Sequence, residues 1–302
     1  MKKHLLLFVL FLFLLNKIIA QPFADVVSAS YQTFSSPYKS EQNSRQQKNK
    51  TDDYFLNFFL PKVFKNGNTL LIRLNTETMN STTSPDSSYS YRLSSISLPL
   101  GFKFVSKNKK WETILIGIPK IASDFRSKIN DKDYQLGGIF LQQYAYNDHF
   151  KLKLGLYYNR EAFGNFFMPL VGLDWKVNDR LYLYGVIPSN YWAEYTIMKY
   201  KLYTGLNFKS FTRSFRLSEA NNYDYVRYNE EELKIFVNWF VYKKIMLFAE
   251  AGYTLGKNPW QYTYNTKNTT DVNPVYTPMK SYALFNVGIA YRIRFDIQKA
   301  KL

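Results

Sequence analysis

The chain has 302 residues, a formal net charge of +17 and no cysteine, which excludes disulfides, thiolate metal sites and a cysteine nucleophile. Its 26 Tyr, 25 Phe and 5 Trp favour strands. The basic excess would suit nucleic acid, but the N-terminus carries an export signal, so anionic headgroups or solutes are the better partners.

That signal comes first in the chain. Lys2, Lys3 and His4 precede eleven uninterrupted apolar residues, Leu5 to Leu15, and a small residue follows at Ala20. This is the form of a cleaved secretory leader over 1–20. The apolar run is too short for a spanning helix, which needs about 20 residues, so an N-terminal anchor is the poorer reading. Loss of Lys2, Lys3 and Lys17 lowers the formal charge from +17 to +14. Residues 21–302 read as a single domain. They contain no apolar run of helix-spanning length, so a mature membrane protein would have to cross as a closed barrel.

Two irregular strands are predicted at Tyr54–Phe64 and Thr69–Thr76. Strict alternation then sets in. Ile96, Leu98, Leu100, Phe102 and Phe104 oppose Ser95, Ser97, Gly101 and Lys103. Leu152, Leu154 and Leu156 oppose Lys151, Lys153 and Gly155, and Val171, Leu173 and Trp175 oppose Gly172, Asp174 and Lys176. Leu206 and Phe208 face away from Asn207 and Lys209; Leu233, Ile235, Val237 and Trp239 face away from Lys234 and Asn238. Leu247, Ala249 and Ala251 oppose Glu250. The last strand is the clearest, with Phe285, Val287, Ile289, Tyr291 and Ile293 on one face and Asn286, Gly288, Arg292 and Arg294 on the other. Side chains alternate along a strand, and apolar-out with polar-in is the pattern of a membrane barrel.

Short turns are predicted at Asn66-Gly67, Ser106–Lys110, Tyr146–Asp148, Asn178–Arg180, Met198–Tyr200 and Tyr242–Lys244. Longer polar connectors fall at Ser35–Thr51, Glu77–Ser90, Pro119–Tyr134, Thr212–Glu230 and Gly256–Lys280, with two shorter ones at Arg160–Gly164 and Pro188–Asn190. The pattern predicts an all-β, up-and-down antiparallel transmembrane barrel of about fourteen strands, twelve being the alternative count, with short periplasmic turns and longer extracellular loops. A soluble periplasmic β-protein is the competing fold. Pro99–Pro119 and Pro169–Pro188 echo one another, and their prolines predict bends at the rims.

The segment from Gln143 to Leu217 carries the turn Tyr146-Asn147-Asp148, then Trp175, Asn178-Asp179-Arg180, Pro188, Glu194-Tyr195 and Gly205. In this arrangement it resembles the domain-of-unknown-function 6268 family, exported proteins of Bacteroidota. The resemblance covers the C-terminal two-thirds of the chain. It implies an outer-membrane barrel of unassigned activity. For such a barrel the expected partners are outer-membrane lipid, lipopolysaccharide and the barrel-insertion machinery. Barrels of this kind often end on an aromatic residue. Here Phe295 is followed by Asp296–Leu302, so the insertion signal would be internal.

Catalytic residues are scarce. After the leader the single histidine is His149, at a turn on the side opposite to where a lipid-modifying enzyme would work. Asp174 and Glu250 face inward and read as lumen ion pairs rather than an acid–base dyad. No phosphate-binding glycine loop is present, the acidic spacing in Asn258–Lys280 does not fit a calcium loop, and no cofactor is implied. The reading is therefore non-enzymatic. Lys103, Lys151, Lys153, Lys176, Lys209, Lys234, Arg292 and Arg294 point inward and outnumber Asp174, Glu250 and Asp296. They predict a passive pore preferring small anions. The alternative is a closed structural or surface-interaction barrel.

Overall fold

The computed structural model describes residues 22–40, 43–84, 90–218, 225–263, 272–276 and 281–295. The predicted leader, Asp296 and part of the Gly256–Lys280 connector lie outside these residues. The strands are, in order, β1 (Phe23–Ser40), β2 (Asn43–Val63), β3 (Thr69–Ser84), β4 (Tyr91–Ser97), β5 (Leu100–Val105), β6 (Trp111–Ser123), β7 (Tyr134–Ala145) and β8 (Phe150–Glu161). They continue with β9 (Gly164–Lys176), β10 (Leu181–Ile187), β11 (Asn190–Met198), β12 (Leu202–Arg216), β13 (Tyr225–Tyr242), β14 (Ile245–Thr263), β15 (Val272–Tyr276) and β16 (Tyr282–Arg294). A 3-10 turn, Asp131–Asp133, precedes β7.

β4 and β5 form one wall strand broken at Leu98-Pro99, and β15 is a side strand on β14. The wall therefore has fourteen antiparallel strands, closed by pairing of β1 with β16 from Phe23↔Arg294 to Phe34↔Leu284. The break does not open the wall. Arg73 N donates to Pro99 O at 2.9 Å, and Leu98 N to Pro119 O at 3.0 Å. Pro99 thus sits within the wall, and Pro119 and Pro169 lie inside paired strands rather than at rims. Pro188 alone meets the rim expectation, in the reversal between β10 and β11.

The outward face is apolar on every side. Leu136, Leu154, Ile235 and Phe285 are each about 60% exposed, and Ile96, Leu115, Leu206, Leu247 and Val287 join them around the wall. A belt of this extent is not stable in water. It suits hydrocarbon, where a closed sheet leaves no backbone group unpaired. The membrane barrel is thus the fold, and a soluble β-protein does not account for the belt.

All six predicted short turns lie on one side, together with both ends of the wall. Gly67 (φ 86°) makes the first of them possible by taking a left-handed conformation. The other rim is uneven. β8 and β9 reverse at Glu161–Gly164 and β10 and β11 at Ile187–Asn190, as predicted. Most of the residues read as long loops are instead paired strand. The β1–β2 ladder runs to Ser40↔Asn43, β2–β3 to Lys48↔Ser84 and β12–β13 to Arg216↔Tyr225. Beyond the apolar belt the outward positions turn polar, as at Lys48, Lys50, Thr82 and Ser84, so apolar alternation disappears although the ladder continues. The barrel is consequently tall at β1–β4 and β12–β14 and low at β7–β11.

One outward assignment fails at the short-turn end. Ile293 is 1% exposed. The β1 register slips between Asp25 and Val27, and Val26, Ala24 and Ile293 are all buried there. Such a bulge reorients side chains and ends the simple alternation.

Candidate functional site

The inward face is crossed at three levels by contacts between distant strands. At the short-turn end, Arg292 of β16 donates to both carboxylate oxygens of Asp25, at 2.6 and 2.8 Å, and lies over the Phe23 ring. Arg294 donates to Glu194 of β11 at 2.6 Å and covers the Tyr203 ring at 3.7 Å. Phe23 meets Tyr184 of β10 edge-on, at 5.8 Å between centroids.

At mid-height, Lys234 bridges Glu232 at 3.0 Å and Glu250 at 2.8 Å. Gln32 of β1 donates to Glu232 at 2.7 Å, and Asn286 to Glu250 at 2.9 Å. On the far wall Glu112 accepts from Lys151 at 2.8 Å and lies 3.7 Å from Lys103, while Lys153 donates to Asp174 at 2.6 Å. Lys209 of β12 packs over Phe211 and over Phe55 of β2.

The third level is nearest the tall rim. Arg213 of β12 contacts Asp53 of β2 at 3.3 Å, Glu230 of β13 at 2.7 Å, and Glu77 of β3. By the strand order, β12 and β3 are six steps apart around a fourteen-strand ring, almost opposite. A guanidinium can reach both only if the lumen is narrow here. An apolar cluster completes the closure. Met79, Leu93, Ala122, Phe215, Leu217, Val226 and Tyr228 are at most 2% exposed and come from β3, β4, β6, β12 and β13 and their ends.

The narrowing follows from the uneven rim. Beyond Ser210, β12 has no β11 beside it and leans over the low wall to meet β6. There the sheet contains its one parallel pairing among the described residues, Arg216↔Ser123. This seam is held chiefly by side chains. Arg216 donates to Asp133 at 2.9 and 3.0 Å, Ser214 N and Oγ donate to Glu161 at 3.0 and 2.6 Å, and Gln135 donates to Ser214 O at 3.0 Å. Asp124 N donates to Arg216 O at 3.0 Å.

Of the eight basic residues singled out, Lys103, Lys153, Lys234, Arg292 and Arg294 are buried in the lumen and ion-paired; Lys151 is half-buried and paired. Lys209 rests on rings. Lys176 lies at a turn beside Asp179, whose carboxyl its ammonium holds below the usual carboxylate range. The counting of inward acids fell short. Nine acidic side chains are buried among the described residues, including Asp53, Glu112, Glu161, Glu194, Glu230 and Glu232, against seven basic ones. Several lie in irregular strands or in segments read as loops. Arg213 and Arg216 were missed for the same reason, since Thr212–Glu230 lacks lipid-facing alternation. Glu194 and Gly205, both in the motif that carried the family resemblance, pair directly in the ladder. Asp174 and Glu250 each have a lysine partner, as lumen ion pairs should. His149 is exposed in its turn, its backbone N donating to Asn147 Oδ1 at 2.8 Å.

No family model matches the chain, and no curated protein matches it. Solved structures with similar architecture include an outer-membrane channel from Pseudomonas putida F1, at 10% identity, TM-score 0.41, covering 92% of this chain and all of that one. The P. putida toluene transporter TodX aligns at 9% identity and TM-score 0.41, covering 90% of this chain and 91% of that one. The translocator domain of the autotransporter NalP from Neisseria meningitidis aligns at 11% and 0.36, covering 89% and 88%. The likeness is one of general architecture.

Proposed function

We propose that this chain is a non-enzymatic outer-membrane barrel whose lumen is shut at rest, a closed barrel rather than a permanently open pore. The observation that carries this reading is Arg213 reaching Asp53 and Glu77 across the lumen while also pairing with Glu230 of the neighbouring strand. Buried charges of this kind are held by one another and leave little room for a hydrated ion. The apolar belt supports placement in a bilayer. Short turns on the side of both wall ends support an outer-membrane setting, with lipopolysaccharide around the tall rim and the insertion machinery as a transient partner. Membership of the domain-of-unknown-function 6268 family belongs to the same proposal. The test is reconstitution into planar bilayers. Folded wild-type protein should show little steady conductance; large, stable openings at neutral pH would refute a closed resting lumen.

A passive, anion-preferring pore is the second reading. Lys209, seated on Phe55 and Phe211 beside its cross-strand neighbour Glu232 and in no ion pair among the described residues, favours it. A reversal potential toward that of the anion in a salt gradient is its expected signature; cation preference would end it.

A further inference from the structure

We propose that the outer part of β12 with the two residues that follow it, Phe211–Ser218, is a latched segment that closes the barrel mouth, and that its release from the β6–β8 rim opens the lumen. The inference rests on the membrane-barrel reading and adds to it a place where the wall can part.

Elsewhere neighbouring wall strands share antiparallel ladders of at least several pairs, the β12–β13 ladder running from Leu202↔Trp239 to Arg216↔Tyr225. Parting them would cost many backbone hydrogen bonds at once. The junction of β12 with β6 is a single parallel pair, Arg216↔Ser123, with one backbone bond from Asp124 N to Arg216 O, and its other polar links run through the side chains of Asp124, Asp133, Gln135, Glu161, Ser214 and Arg216. A seam built of a few charge-assisted hydrogen bonds can be undone by a few substitutions. It is also the boundary between two halves of the apolar cluster. Phe215, Leu217, Val226 and Tyr228 belong to the β12–β13 side, and Met79, Leu93 and Ala122 to the fixed wall. Arg213 sits on the moving side, while Asp53 and Glu77 stay with the wall. Release of the seam therefore withdraws both the apolar plug and the guanidinium that crosses the lumen. Closed and open forms would be two discrete packings, with the latch setting their ratio.

The absence of native cysteine allows a direct test. Ser123→Cys and Arg216→Cys together place two thiols on directly paired residues, a separation compatible with a disulfide. Oxidised, the seam is covalently shut and the lumen should not conduct in a planar phosphatidylcholine bilayer in potassium chloride. Reduced, the same molecules lack the Arg216–Asp133 pair, and conductance should rise roughly tenfold or more. The variant Asp133→Asn with Glu161→Gln, which keeps side-chain shape, should raise conductance without any reductant. Heat-modifiable gel mobility confirms that each variant is folded, and extraction only by detergent checks the membrane reading separately. Folded, inserted variants whose conductance equals that of wild type, oxidised or reduced, would overturn the latch.

Discussion

Ile289 and Arg292 lie on opposite faces of β16, and their substitutions test those faces. Ile289 is lipid-exposed, so Ile289→Arg should cost about 2–4 kcal/mol if it lies near the bilayer middle. Alternation alone suggests that Arg292→Ser is mild. The structure revises this, because Arg292, itself buried, binds the partly exposed Asp25 with two hydrogen bonds. Breaking one side of a fully buried pair costs about 3–5 kcal/mol, which solvent at Asp25 reduces here, so the expected cost lies below that range but well above that of an exposed residue. The double variant Asp25→Ser with Arg292→Ser should recover part of that loss, as measured by denaturant unfolding in detergent. Equal stability of the single and double variants would remove the pair from the account. Such partners could not be read from the sequence. Arg294 and Glu194 are 100 residues apart, Arg213 and Asp53 160, and nothing local in either strand announces the other.

Hairpin β10–β11 shows what the low rim requires. Gly185 has φ 132°, and a Cβ there would fall 2.2 Å from Asn190 O. Gly185→Ala should therefore strain the reversal and destabilise the barrel by about 1–3 kcal/mol, read as a lower temperature for loss of the compact gel form. An unchanged transition would show that the close approach is relaxed in solution. Elements of this kind were legible in proportion to their contact with lipid. β5, β8, β9, β13 and β16 alternate because one face meets hydrocarbon and the other a polar lumen. The upper parts of β2 and β3 carry polar residues outward, as at Lys48, Lys50, Thr82 and Ser84, and Arg213–Arg216 of β12 are buried throughout, so these sequences lack lipid-facing alternation although they form ladders.

At the scale of the molecule, the side of the short turns predicts orientation. A cysteine replacing Lys243 should be silent to an impermeant thiol reagent on intact cells, and one replacing Thr82, exposed on the tall rim, should react. The reverse result would invert the topology. The strand number and the common side of the turns were legible, since each turn carries its own local signal and the count follows from them. The filled lumen was not. Its charges appeared as a basic excess only because many of the matching acids lay where no strand pattern showed.

Pairing of β1 with β16 has a kinetic consequence. Phe23 and Arg294 are partners at opposite ends of the described chain, so the most non-local contact is also the one that removes the last sheet edges. Closing so large a loop is slow, and until it happens β1 and β16 each present an unpaired edge able to recruit another chain. Maturation should therefore be all-or-none and late. A chain ended before Tyr282 should accumulate as protease-sensitive aggregate rather than as a smaller barrel, which pulse-chase with trypsin would reveal.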